Sequence, residues 1–117
     1  MRTKLLVGAL LMIGLVPGSA NEALHLRVSP EMTMEPAWIR VQTTVEPDAD
    51  NRALRIIIDS EAYFRSSQME LEGDKAPRTT FFQYRNLPAG EYEVRGVLIG
   101  RDGRERAVAQ RSVMVMP

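Results

Sequence analysis

One histidine and two pairs of methionines carry the most distinctive chemistry of this chain. His25 lies upstream of Met32 and Met34, and a second Met-x-Met pair, Met114 and Met116, lies at the other end of the sequence. Thioether and imidazole groups suit Cu(I), so His25, Met32 and Met34 are candidate metal ligands of a copper carrier. The alternative is that Met32 and Met34 belong to an edge segment of the fold and bind no metal.

The residues that usually carry catalysis are scarce. The chain has no cysteine and a single histidine, so a thiol nucleophile is excluded and a serine triad could be built only around His25. His25 falls on the polar side of an alternating segment, and no strained nucleophile turn is recognisable. The sequence therefore predicts a protein that is not an enzyme and that requires no cofactor.

A short acidic stretch could instead hold a cation. Glu46, Asp48, Asp50 and Asn51 could supply oxygen ligands to calcium at the edge of a domain. No glycine-centred ligand loop surrounds them, however, and residues 47–51 (PDADN) are equally a good turn sequence. A calcium site and a simple turn both remain open at this point.

Aromatic residues offer a candidate binding surface. Trp38, Tyr63 and Phe64, with Arg65 beside them, could contact a protein partner, and the same rings could bind a glycan. Phe81 has the parity of an outward-facing strand residue, so at least one ring should be exposed. The alternative is that these rings fold over the rim of the domain.

The first residues indicate where the protein goes. Arg2 and Lys4 precede an apolar run at residues 5–16, and small residues lead up to Ala20. This is the pattern of a secretory signal peptide at residues 1–20, cleaved after Ala20. The run is shorter than a membrane-spanning helix needs. We therefore expect one domain at residues 21–117, periplasmic or secreted, with no membrane anchor after cleavage.

Charge argues against nucleic acid as a partner. The chain has fifteen basic and fifteen acidic residues, and removal of Arg2 and Lys4 would leave the exported domain slightly acidic. Nucleic-acid binding requires a net basic face. We therefore expect another envelope or secreted protein, and no nucleic acid, as the partner.

Apolar and polar residues alternate with a period of two along most of the domain. Leu24, Leu26 and Val28 set the pattern, and six further segments continue it to the end of the chain. One-sided alternation is typical of antiparallel sheets, and seven short strands at roughly ten-residue spacing predict a β-sandwich. A change of apolar parity between Val108 and Val113 predicts a bulge. Residues 59–67 suggest one helical turn and no strand.

Residues 87–94 (LPAGEYEV) resemble the corner that enters the penultimate strand of immunoglobulin-like and fibronectin type III domains. The resemblance implies an all-β, seven-stranded antiparallel sandwich in which Leu87 plugs the core and the Tyr92 hydroxyl bonds to a backbone group. The chain lacks the cysteine pair of antibody domains, and Trp38 stands at a strand start. Residues 45–52, 63–67 and 76–78 also look like a group of small uncharacterised bacterial secreted domains.

Together these patterns predict an exported, non-enzymatic binding or structural accessory module of the bacterial envelope that acts through protein–protein contact. Trp38, Tyr63, Phe64 and Arg65 are its candidate partner-binding residues. A periplasmic Cu(I) carrier and a glycan-binding module are the two alternatives.

Overall fold

The computed structural model describes residues 23–117, which form eight β-strands and one short 3-10 helix, Gly73–Lys75. The predicted signal peptide lies outside these residues, and its cleavage stays a prediction. Within residues 23–117, no helix is long and apolar enough to cross a membrane. The strands are β1 (Leu24–Ser29), β2 (Met32–Met34), β3 (Ala37–Val45), β4 (Asn51–Asp59), β5 (Phe64–Glu70), β6 (Thr79–Leu87), β7 (Gly90–Gly100) and β8 (Glu105–Met116).

The strands form two sheets. A three-stranded sheet has the order β1-β3-β6, and a five-stranded sheet has the order β2-β8-β7-β4-β5. Neighbouring strands are antiparallel, except that β2 runs parallel to β8. The predicted all-β, two-sheet architecture is confirmed. The strand number is eight instead of seven, because the segment with Met32 and Met34 pairs as a strand of its own.

One apolar core fills the space between the sheets, and strand alternation selects its members. In β4, Leu54, Ile56 and Ile58 are fully buried, whereas Arg55 and Asp59 point away from the core. Each buried side chain of this size contributes about 1.5–3 kcal/mol through removal of its surface from water. The three-stranded sheet supplies the opposing layer, which includes Leu24, Leu26, Ile39, Val41, Tyr84 and Leu87.

The bulge predicted for the last strand lies elsewhere. Ala107 and Ala109 are the buried residues of this part of β8, and they share the parity of Val113, whereas Val108 is only half-buried. The pairing of β8 with β7 is unbroken from Val113 to Ala107, and its irregularity falls beside the hairpin turn. The prediction was wrong because the small alanines gave a weaker apolar signal than Val108.

The helical turn suggested for residues 59–67 is also wrong. The Ser60 N–H donates to the Tyr63 carbonyl oxygen at 2.8 Å in a tight turn. The strand β5 then begins at Phe64 and pairs with β4 along its whole length. Most side chains of β5 are exposed, since it is an edge strand, and alternation in its sequence is correspondingly weak.

The corner before β7 has the hydrogen bond that the sequence predicts. The Tyr92 hydroxyl donates to the Pro88 carbonyl oxygen at 2.6 Å, and Leu87 is fully buried beneath the corner. The ring of Tyr63 packs against that of Tyr92, with centroids 6.0 Å apart. Burial raises the pKa of Tyr92 above its ordinary value of 10.0.

Candidate functional site

Four methionines meet on the outer face of the five-stranded sheet, at its β2 edge. Met32 pairs with Met114, and Met34 pairs with Met116, in the parallel register of β2 and β8. Because Val113 and Val115 point into the core, Met114 and Met116 point outward. We call Met32, Met34, Met114 and Met116 the methionine patch. Their exposed fractions are 68% for Met32, 64% for Met34 and 43% for Met116, and Met114 is half-buried.

Backbone hydrogen bonds at both ends of β2 hold the methionine patch together. The Met114 N–H donates to the Glu31 carbonyl oxygen at 2.9 Å, and the Glu35 N–H donates to the Met116 carbonyl oxygen at 2.8 Å. The Glu35 carboxylate in turn accepts the Ala89 N–H at 2.9 Å. The backbone of β2 and β8 is therefore held in place by its own hydrogen bonds, and the thioether groups take no part in this pairing.

A cleft of about 630 Å³ continues from the methionine patch across β8, β7 and β4. It is open along one side, and its volume falls in the range of ligand sites in proteins. Met32 and Met114 line its edge at the patch, because Met114 faces Glu91 across the β7–β8 pair. The carboxylates of the cleft belong to Glu31, Asp59, Glu91 and Glu93.

The cleft is negatively charged. Glu93 is partly compensated, since Arg95 lies 3.9 Å from its carboxylate and the Gln110 amide donates to it at 2.9 Å. Within residues 23–117, Glu31, Asp59 and Glu91 have no cationic partner within 4.0 Å. Carboxylates that lie together without cations lower the local concentration of anions. The site thus combines exposed thioethers with a negatively charged cleft.

The three predicted copper ligands are not brought together. His25 lies on β1 in the three-stranded sheet, opposite Thr44, and lines a depression with Arg27. Met32 and Met34 lie on β2 in the other sheet. No group of three or more His, Cys, Asp or Glu side chains that could hold a metal ion occurs in residues 23–117.

The predicted aromatic surface is divided between the two sheets. Trp38 is exposed on β3, whereas Phe64 is exposed at the start of β5 in the five-stranded sheet. Tyr63 is partly buried against the core. The Arg65 guanidinium lies 5.7 Å from the centroid of the Tyr84 ring. These four residues therefore form no single platform.

The acidic stretch that could have held calcium contacts an arginine instead. Arg106 lies 3.1 Å from the Asp48 carboxylate and 3.5 Å from that of Asp50, and it also donates to the Asn51 side chain. The Asp50 N–H donates to Asp48 at 2.8 Å. This hydrogen bond and the nearby guanidinium lower the pKa of Asp48. The guanidinium occupies the position that a cation would take.

Comparison with solved structures shows which known proteins share this fold. No protein-family model and no curated protein sequence matches the chain at a significant level. Several solved structures do match, among them three named superoxide reductase (neelaredoxin) from Ignicoccus hospitalis. One of these, a point variant, covers 85% of this chain and 91% of its own, with a TM-score of 0.65 and 14% identity. Another point variant covers 83% and 85%, with a TM-score of 0.64 and 14% identity. A third structure covers 80% of both chains, with a TM-score of 0.62 and 14% identity.

These structures correct two expectations. The placement among immunoglobulin-like and fibronectin type III domains is contradicted, because the matching folds are superoxide reductase domains, and nothing supports the small bacterial secreted domains. The Tyr92 corner occurs here as well, so this local hydrogen bond does not identify a family. The expectation of a non-enzymatic accessory module is contradicted too, since the matching proteins are enzymes; the copper carrier and the glycan module gain no support. At 14% identity the likeness establishes the fold alone.

The side chains of this chain do not fit the reaction that these neighbours are named for. Reduction of superoxide takes one electron, which proteins usually supply from a redox-active metal held by imidazole or thiolate groups. This chain has one histidine and no cysteine. His25 stands on the exposed side of β1, apart from other ligand groups of residues 23–117. No step of that reaction can be assigned to a side chain of residues 23–117.

Proposed function

We propose that this domain consumes neutral two-electron oxidants, hydroperoxides above all, at the methionine patch. The observation that carries the proposal is the paired register of Met32 with Met114 and Met34 with Met116, which presents four thioethers outward on one surface. An exposed thioether is readily oxidised, whereas a buried one is protected. The shared fold with enzymes that act on a reactive oxygen species supports the same chemical setting.

The charge of the cleft favours a neutral oxidant over superoxide. Superoxide is an anion, and the carboxylates of Glu31, Asp59 and Glu91 lie in the cleft that Met32 and Met114 line. Uncompensated carboxylates lower the concentration of an anion at such a surface. Hydrogen peroxide is uncharged near neutral pH and meets no such barrier. The substrate class is therefore different from the one named for the structural neighbours.

The reaction at each methionine is an oxygen-atom transfer. A lone pair of the thioether sulfur forms a bond to one peroxide oxygen while the O–O bond breaks. The sulfur loses two electrons, the peroxide gains them, and the departing hydroxide takes up the proton of the transferred oxygen to give water. One methionine thus consumes one peroxide and becomes a sulfoxide. Methionine sulfoxide reductases restore the thioether.

The strand arrangement allows this oxidation to proceed without unfolding. Val113 and Val115 carry the contacts of the β8 end with the core, and backbone groups carry the pairing of β2 with β8. The four thioethers contribute to neither. A polar sulfoxide can therefore replace each thioether at little cost to the fold, whereas oxidation of a core methionine would disrupt packing.

The proposal includes export of the domain from the cytosol. The pattern at residues 1–20 supports cleavage after Ala20 and a periplasmic or secreted domain, where another envelope protein could be a neighbour. The test is the intact mass of the protein purified from its own envelope fraction. A chain that begins at Asn21 supports export, and a full-length chain in the cytosol contradicts it.

The main experiment is a titration of the domain with hydrogen peroxide, followed by site-resolved mass spectrometry. We expect Met32 and Met34 to gain oxygen first, then Met116 and Met114, in the order of their exposure. Met69, which packs partly against the core, should react last. In urea all of these methionines should react at one rate.

Two variants sharpen this experiment. Replacing all four patch methionines with leucine should remove the peroxide consumed while the domain stays folded, and Met69→Leu should leave the consumption unchanged. The proposal fails if Met69 reacts as fast as Met34 in the folded domain, or if oxidation of the patch unfolds it. A parallel assay under a constant flux of superoxide should show no consumption, and consumption there would instead support the reaction of the structural neighbours.

A further inference from the structure

The outer face of the three-stranded sheet is basic, and none of the outward side chains of β1, β3 and β6 is acidic. Arg27, Arg40 and Arg85 point outward from β1, β3 and β6, one from each strand. Trp38 and Phe81 stand among them. We call the outward residues of these strands the arginine face. Its members are His25, Arg27, Ser29, Trp38, Arg40, Gln42, Thr44, Thr79, Phe81, Gln83 and Arg85.

The three arginines of this face differ from several others in the domain. Five arginines elsewhere lie within 4.0 Å of a carboxylate. Arg27, Arg40 and Arg85 have no such partner within residues 23–117. Their guanidinium groups therefore remain available to an external anion. Planar guanidinium groups suit phosphate oxygens, to which they can donate two parallel hydrogen bonds.

Two of these arginines are neighbours. Arg27 pairs with Gln42 and Ser29 with Arg40, so Arg27 and Arg40 occupy diagonal positions on adjacent strands. A depression of about 490 Å³ lies between them and is lined by the Ser29 and Gln42 side chains as further polar groups. Its one carboxylate is that of Glu31, which stands outside the three strands.

Two large aromatic rings are exposed on the same face. Trp38 is 47% exposed and Phe81 is 53% exposed. The Arg40 guanidinium lies over the Phe81 ring, 5.0 Å from its centroid. Aromatic rings of this kind, next to arginines, are favoured at the boundary between lipid headgroups and acyl chains. The nine residues of β3 make the face about 30 Å long.

We propose that the arginine face docks on an anionic phospholipid surface, with lipid phosphates at Arg27, Arg40 and Arg85 and the rings of Trp38 and Phe81 in the headgroup region. A face that spreads three arginines over three strands complements an extended negative surface better than it complements a compact ligand. Stacking of a nucleobase on Phe81 is disfavoured, because the Arg40 guanidinium already covers one side of that ring. Docking at this face does not depend on the oxidant chemistry of the other sheet.

The chain provides its own reporter for this interaction, because Trp38 is its only tryptophan. The purified domain is mixed with vesicles of phosphatidylcholine alone, or of phosphatidylcholine with phosphatidylglycerol. We expect a blue shift of Trp38 emission and flotation with the anionic vesicles only. Three arginines near such a surface predict partitioning roughly 100-fold stronger than to neutral vesicles, since each contributes about 1 kcal/mol. Added salt should weaken it.

Matched variants test whether this face is responsible. Arg27→Gln with Arg40→Gln should weaken binding to the anionic vesicles by roughly tenfold or more, because two of the three arginine contributions are removed. Arg101→Gln with Arg104→Gln removes the same charge from exposed positions in the turn between β7 and β8 and should have little effect. Equal binding to both vesicle types, no binding to either, or equal loss in both double variants would overturn the proposal. So would binding of glycerol phosphate without vesicles, or displacement of the domain from vesicles by a single-stranded oligonucleotide.

Discussion

The two outer faces of this sandwich differ far more than its two inner faces do. Both sheets direct the same kind of aliphatic side chain into one core, with Ile39 and Val41 on one side and Leu54 and Ile56 on the other. Outside, the five-stranded sheet presents four methionines and a cleft lined by carboxylates, whereas the outward side chains of the three-stranded sheet include three arginines and no carboxylate. Inward positions are constrained by packing, while outward positions are free to vary. The function of this domain should therefore be sought on its faces.

The largest effect should come from the core, because both faces depend on it. Ile56 is fully buried near Leu24 and Leu26, whose side chains lie beside Gly96. We expect Ile56→Ala to destabilise the domain by about 2–5 kcal/mol, since the surrounding side chains can close the cavity only in part. Urea denaturation should give one transition, with the protection of Met69 from oxidation and the folded-state emission of Trp38 lost together. Separate transitions for the two faces would contradict a single core.

An intermediate effect is expected at the corner before β7, at residues 87–94. Tyr92→Phe removes the hydroxyl that donates to the Pro88 carbonyl oxygen, and we expect a loss of about 1 kcal/mol in the free energy of unfolding at neutral pH. The measurement is urea denaturation of both proteins, with His25→Gln as a surface control. A neutral result would show that water replaces the lost partner.

The pH dependence of stability in the wild type and in Tyr92→Phe gives a second check. Burial raises the pKa of Tyr92 in the folded state above 10.0, so its neutral form stabilises the fold below that pH. As the pH rises above 10.0 the unfolded chain ionises first and the wild-type domain loses this contribution. The gap between the wild type and Tyr92→Phe should therefore narrow at alkaline pH.

The smallest effect should come from conservative changes on one face. Met32→Leu with Met34→Leu keeps the volume and the apolar character of two exposed side chains, so the change in stability should stay below about 0.5 kcal/mol. Flotation of this variant with anionic vesicles should equal that of the wild type, because the arginine face belongs to the other sheet. A loss of flotation would mean that the two faces act together.

The sequence predicts the parts of this fold that depend on residues close together along the chain. Alternation identifies the buried positions of β1, β3 and β4, and the corner at residues 87–94 has its predicted hydrogen bond. The pairing of Met32 with Met114 could not be found in this way, since the two residues stand at opposite ends of the chain and meet through a parallel register. The contact of Arg106 with Asp48 joins two distant turns for the same reason.

The same limit applies to the candidate site residues. The sequence groups Trp38, Tyr63, Phe64 and Arg65 as one surface, because no pattern assigns strands to sheets. His25 likewise appeared close to Met32, although the turn between β1 and β2 carries the chain from one sheet to the other. Alternation along the strands indicates that Trp38 and Phe81 face outward. That Arg27, Arg40 and Arg85 share this face follows only from the order of the strands in the sheet.

The short strand β2 also bears on how copies of this protein meet one another. An unpaired strand edge invites another chain to add to the sheet, and natural proteins block such edges with very short strands and prolines. β2 covers the end of β8 with three residues, and Pro30 and Pro36 stand on either side of it without an N–H to offer. The last residues of β8 are thereby blocked against the addition of another strand, whereas β5 leaves the opposite edge of the five-stranded sheet open.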